Sequence, residues 1–261
     1  MNNSNIDIYV FSGTGNTLLV ANKISEVFNN NSCQSKVYKM ESVNPKNINL
    51  NSTIGIGWTV AFWNTYPLVR NWIDNLPNGN NTEVFLFDTM GDSSCKMIAH
   101  IAKILEKKNY KIIGAKGFIM PNNFLLVLKD SKNKERIEKT FNKVELYTKG
   151  IIAGNGEISK PNIFSFIAFK ITGFVTTKLW LTKLAKKIMK FKVDKNKCNR
   201  CGTCVNLCPT ENIEIEDIPQ FKDKCIFCLR CVSYCPQQAM SNKILLKTYR
   251  AVQIGDMKWK Q

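Results

Sequence analysis

Residues 6–11 are apolar at every position but Asp7, a short run typical of a strand buried on both faces. A turn follows over residues 12–16, and apolar positions then recur with helical spacing to about Phe28. Further strand-like runs occupy residues 36–40, 53–58, 83–88 and 112–119. Between the later runs, Asn64 or Thr65 stands where a helix cap would, with Pro67 in the first turn. Met97, Ile98, Ile101, Ala102, Ile104 and Leu105 then form a one-faced helical stripe. A last stripe, Ile137, Phe141 and Val144, closes this half near Gly150. Strands alternating with helices predict an α/β fold, a doubly wound five-stranded parallel sheet covered on both faces.

The pattern changes after Gly154-Asn155-Gly156. Trp180, Leu181, Leu184, Ala185 and Ile188 share one helical face, with Lys178, Lys183, Lys186, Lys187 and Lys190 mostly around the other sides. Gly173 separates this helix from a shorter one before it. From Asp194 onward cysteines dominate, and residues 198–209 are matched by residues 225–236 at a constant offset of 27, the mark of an internal duplication. The expected organisation is an α/β domain over 1–150, a basic amphipathic linker over 151–193, a small cysteine-rich α+β domain over 194–245, and a tail over 246–261.

The chain has ten cysteines. Cys198, Cys201, Cys204 and Cys208 follow the spacing C-x2-C-x2-C-x3-C-P, and Cys225, Cys228, Cys231 and Cys235 repeat it, with Pro209 and Pro236 included. Three closely spaced thiolates can hold three irons of a 4Fe-4S cubane while the fourth ligand comes from the other half of the duplication. Two such clusters are therefore expected, one on Cys198, Cys201, Cys204 and Cys235, the other on Cys225, Cys228, Cys231 and Cys208. Structural zinc, the competing reading, uses two C-x2-C pairs across a longer gap, and this spacing departs from that pattern. Cys33 reads as a loop residue and Cys95 as a helix-core residue, and neither is assigned a redox role.

The turn after the first strand reads Ser12-Gly13-Thr14-Gly15-Asn16-Thr17. Between a strand and a helix, such a loop offers amides and hydroxyls to a phosphate. It lacks the lysine of a nucleoside-triphosphate loop, and residue 18 is Leu where a dinucleotide fingerprint needs glycine, so a mononucleotide is favoured. Ser12, Thr14, Gly15 and Thr17 match the flavodoxin loop [ST]-x-T-G-x-T, and the first 150 residues resemble the flavodoxins. The resemblance implies a flavodoxin-like fold with FMN lying across the carboxyl ends of the third and fourth strands, as the switch-point rule also places it. The candidate walls of the ring site are then Trp58, Thr59, Phe62, Trp63 and Tyr66 after one strand, and Asp88, Thr89, Met90, Gly91 and Asp92 after the next. Gly13 and Asn16 complete the candidate cofactor set.

The whole chain is similar to the fusion proteins of anaerobes that join a flavodoxin-like part to a bacterial two-cluster ferredoxin, the EFR-type ferredoxin family. That similarity implies bound FMN, two 4Fe-4S clusters and electron transfer. A carrier is favoured over a substrate-specific enzyme. The rivals are a flavin-dependent reductase of a small molecule and a ferredoxin with a flavin-free docking module. His100, the single histidine, reads as a solvated helical residue, and no catalytic side chain is assigned.

Charge adds a partner to this picture. The net charge is +17, and residues 151–193 carry eight lysines against one glutamate. An acidic protein redox partner such as a ferredoxin is expected, and nucleic acid is not. Peripheral contact with an anionic membrane is an alternative use of the basic helix. The first ten residues lack the basic start of a secretory signal, which points to the cytoplasm. The richest apolar run, residues 161–169, is cut by Lys170, too soon for a membrane-spanning helix.

Overall fold

A computed structural model describes residues 4–61, 64–92, 96–123, 130–160, 167, 171 and 191–242. The expected helix around Trp180 to Ile188, together with Phe62, Trp63 and Cys95, lies outside the described residues.

Five parallel strands form one sheet in the order β2-β1-β3-β4-β5. They are β1 (Asn5–Val10), β2 (Gln34–Lys39), β3 (Thr53–Thr59), β4 (Glu83–Met90) and β5 (Lys111–Ile119). This 2-1-3-4-5 order is the flavodoxin-like one. Helices α1 (Asn16–Asn29), α2 (Pro67–Asp74), α3 (Met97–Glu106) and α4 (Asp130–Ile152) cover the sheet. Two short 3-10 turns, Met40–Ser42 and Pro45–Asn47, lie on the path from β2 to β3.

Alternation along the strands builds a core on each face. Ile6, Ile8 and Val10 pack with Leu18, Ile24 and Val144 from α1 and α4, whereas Tyr9 and Phe11 join Val69, Trp72, Ile98 and Ile101 from α2 and α3. Gly55 and Gly57 leave room for the rings of Phe85 and Phe87, which occupy the space where a Cβ would stand. Tyr147 of α4 donates to the carbonyl of Leu86 at 2.7 Å, tying that helix to the centre of the sheet.

Three local expectations need correction. Tyr66, not Asn64 or Thr65, is the cap residue of α2, and its side chain makes no capping hydrogen bond. His100 is buried because α3 is covered around its first turns, with every residue from Met97 to Ala102 buried. The fourth strand runs on through Met90, so Asp88 and Thr89 are strand residues and the loop begins at Gly91. The chain also stays on the sheet past Gly150, where the amide of Ser159 bonds the carbonyl of Ala115 at 2.9 Å.

The cysteine-rich unit is framed by two antiparallel pairs, β6 (Lys192–Val193) with β9 (Met240–Ser241) and β7 (Ile213–Ile215) with β8 (Pro219–Phe221). Two one-turn helices, α5 (Thr203–Asn206) and α6 (Arg230–Ser233), stand 27 residues apart. The backbone repeats at the same offset: Arg200 and Phe227, Gly202 and Leu229, and Glu211 and Gln238 all have positive φ. The duplication is thus one of conformation as well as of cysteine spacing.

Candidate redox site

The glycine loop lies at the carboxyl end of β1, where α1 begins. Gly15 caps the helix at φ 106°, a conformation that strains any residue with a Cβ. Ser12 Oγ accepts from the amide of Leu18 at 3.3 Å, and the buried Thr17 hydroxyl lies 2.8 Å from the hydroxyls of both Thr59 and Thr89. This three-hydroxyl knot joins the helix start to the ends of β3 and β4. Asn16 Nδ2 donates to the Pro121 carbonyl at 2.7 Å, and Asn123 donates to the Thr14 hydroxyl, drawing in the chain after β5.

Around this knot the described residues enclose a cavity of about 250 Å³. Gly13, Asn16, Thr59, Thr89, Met90 and Gly91 line it, with Tyr66, Asp92, Asn122 and Asn123. No lysine or arginine among the described residues does so. Because Asn16 Nδ2 is committed to Pro121, the Asn16 atom left over is an acceptor, and Oδ1 is buried with no partner among the described residues. It suits a ligand hydroxyl or ring N–H. The amides at the start of a fourteen-residue helix suit a phosphate. A flavin mononucleotide carries all three kinds of group, so the residues fit it.

The cysteines fall into two sets. Cys208, Cys225, Cys228 and Cys231 line one small cavity; Cys198, Cys201, Cys204 and Cys235 line another. Cys208 acts electrostatically on Cys225, Cys228 and Cys231, and Cys235 on Cys204. Matching amides point at sulfur in the two halves, Asn212 N to Cys208 Sγ at 3.2 Å and Ala239 N to Cys235 Sγ at 3.3 Å. Such amide donors stabilise thiolate-bound clusters. Among the described residues no three potential ligands converge on a single metal ion. Burial pushes the Cys228 thiol up to about 12 and Cys204 to about 11, whereas the exposed Cys201 is drawn down by the hydroxyl and amide of Thr203. The set with Cys228 is the inner one, and the set with Cys201 faces solvent.

The inner set abuts the glycine loop. A Cβ on Gly13 would stand 2.5 Å from the carbonyl oxygen of Cys228, and Tyr66 Oη donates to the Phe227 carbonyl at 3.4 Å. Cys228 and Leu229 line both the inner cysteine cavity and the cavity at the loop.

Residues 190–245 match the family model of the 4Fe-4S dicluster domain. The match therefore takes in β6, which occupies its third and fourth residues. No curated protein matches the chain. Among solved structures, the flavodoxin of Streptococcus pneumoniae TIGR4 is 14% identical over 57% of this chain and 98% of its own, with a TM-score of 0.45. A flavodoxin from the domain Archaea is 16% identical over 56% and 99%, with a TM-score of 0.39. The rubredoxin oxygen:oxidoreductase of the anaerobe Desulfovibrio gigas is 15% identical over 57% of this chain but only 37% of its own, with a TM-score of 0.42. The flavodoxin-like assignment follows from the strand order. Joined to a dicluster domain, that fold supports an electron-transfer role.

The expected cofactor-site residues separate into four groups. Gly13, Asn16, Thr59, Thr89, Met90 and Gly91 line the cavity, and Ser12, Thr14, Gly15 and Thr17 build the loop beneath it. Trp58 and Asp88, adjacent in the β3–β4 register, are fully buried and do not line it; Trp58 is part of the core beneath α2 and α3. Phe62 and Trp63 lie outside the described residues. Sequence reasoning missed Asn122 and Asn123, which the switch-point rule could have suggested from the end of β5. It also missed Phe227 to Leu229, whose place at the cavity depends on the docking of the dicluster domain.

Proposed function

We propose that this protein relays single electrons between FMN, two 4Fe-4S clusters and an acidic protein redox partner. The observation that carries this reading is the double role of Cys228, which lines the cavity at the glycine loop and belongs to the inner cysteine set. When bound, FMN supplies two-electron storage with one-electron release, and each cluster supplies a one-electron step. The loop from Ser12 to Thr17 would hold the phosphate, and Asn16 Oδ1, which has no partner among the described residues, would accept from the polyol or ring. Cys208, Cys225, Cys228 and Cys231 hold the inner cluster; Cys198, Cys201, Cys204 and Cys235 hold the outer one. The exposed Cys201 puts the outer set within reach of a partner, while the inner set closes on the flavin side. The protein belongs in the cytoplasm, with the EFR-type fusions of anaerobes. Among the described residues, no helix is long and apolar enough to cross a membrane.

The decisive test is an anaerobic preparation assayed for iron, sulfide and flavin. The expected content is about eight irons and eight sulfides per chain, with one FMN. Zinc alone after anaerobic reconstitution, or clusters without flavin, would overturn the corresponding half of the reading.

A further inference from the structure

Arg230 lies between two cysteines of the inner set, Cys228 and Cys231, at the first position of α6. It is 1% exposed, an unusual burial for arginine, and it reaches out of the dicluster domain into the flavodoxin-like one. Its Nε donates to the carbonyl of Ser12, the first residue of the glycine loop, at 2.8 Å. Its Nη1 pairs with the buried carboxylate of Glu41, beyond β2, and also donates at 3.3 Å to the carbonyl of Leu207, the residue before Cys208. The guanidinium lies 5.2 Å from the centre of the Phe11 ring. One side chain thus touches the phosphate loop, a carboxylate of the other domain, and the peptide that delivers the crossed ligand.

The duplication supplies an internal control. The position equivalent to Arg230 in the first half is Thr203, whose hydroxyl lies 3.2 Å from Cys201 Sγ. The outer set therefore has a neutral hydroxyl where the inner set has a buried cation. Arg230 lines the same small cavity as Cys208, Cys225, Cys228 and Cys231, so its charge stands beside the inner set. Reduction adds negative charge to a cluster, and a cation in a poorly solvated setting favours that added charge.

We propose that Arg230 is a positioning residue that clamps the inner cysteine loop to the glycine loop and holds the inner cluster at a higher reduction potential than its neutral surroundings alone would. Glu41 is its counter-charge and moderates the effect from the other domain. The inference rests on the reading that Cys208, Cys225, Cys228 and Cys231 bind a cluster, and the iron and sulfide content of the parent protein tests that reading separately.

The test uses the full-length protein, reconstituted anaerobically, with both cluster potentials followed by EPR-monitored titration. The inner cluster is identified as the one lost in Cys208→Ala. Arg230→Gln is expected to shift the inner potential downward and leave the outer one in place. Arg230→Lys should restore most of the potential, because the charge returns, but not the docking, because ammonium lacks the fork that meets Ser12, Glu41 and Leu207 together. Docking is read as protection of residues 227–231 from hydrogen exchange. If Arg230→Gln fails to assemble its inner cluster, Glu41→Gln decides: it sits outside the dicluster domain and should shift the inner potential upward. An unchanged inner potential in Glu41→Gln, or an equal shift of both clusters in Arg230→Gln, would overturn the proposal.

Discussion

Gly13 leaves no space for a side chain, because the Cys228 carbonyl stands where its Cβ would be. Gly13→Ala must therefore push the loop and the dicluster domain apart, and faster amide exchange across residues 227–231 is the expected result. Unchanged exchange would mean the two surfaces do not depend on each other. Thr17 acts differently, by holding two strand ends through one buried hydroxyl. Thr17→Val leaves the Thr59 and Thr89 hydroxyls short of a partner and should cost about 1–3 kcal/mol in urea unfolding. Cys208→Ala tests the crossed ligand set: iron content should fall from about eight to about four, with the surviving cluster on Cys198, Cys201, Cys204 and Cys235. Loss of that cluster instead would reverse the assignment. Spacing alone named these cysteines, since cubane geometry constrains neighbours in sequence. Spacing could not single out Arg230, whose contacts lie 189 and 218 residues away.

At the level of elements, period was the informative quantity. Strand and helix alternation was legible because each element must bury a face, and burial writes itself into the sequence at 2.0 or 3.6 residues. Strand ends were less legible. Thr59 and Thr89 extend β3 and β4 because they pair with each other, a dependence on the neighbouring strand that neither segment contains by itself. That extension matters for the site, since it converts part of an expected loop into a rigid wall bearing hydroxyls. The same holds for α4, whose anchoring to the sheet depends on Tyr147 reaching Leu86. Tyr147→Phe should destabilise the flavodoxin-like part by about 1 kcal/mol, read as a lower urea midpoint with an unchanged slope.

At the scale of the whole molecule, the two domains share one buried seam, and the net charge of +17 bears on what meets the outer surface. An acidic partner should be steered to the protein at low ionic strength and lose that advantage as the Debye length shrinks to about 8 Å near 0.15 M salt. Changing Lys183, Lys186, Lys187 and Lys190 to Glu should remove the salt dependence of electron transfer with an acidic ferredoxin while cofactor content stays the same. A rate insensitive to both salt and charge reversal would exclude the partner, and flotation with anionic liposomes would then test the membrane alternative.

The sequence by itself determined the fold class and the dicluster domain, because hydrophobic period and cysteine spacing are local constraints that a chain carries wherever it folds. It also located the glycine loop, since a strand-turn-helix junction needs Gly15 at positive φ irrespective of distant partners. Only the tertiary structure decided which loop residues face the cavity and which are consumed in holding it together. It alone brought Cys228 against Gly13 and Arg230 against Ser12 and Glu41. Those contacts join surfaces made by two separate domains, and their complementarity resides in shape and buried charge rather than in any periodic pattern along the chain.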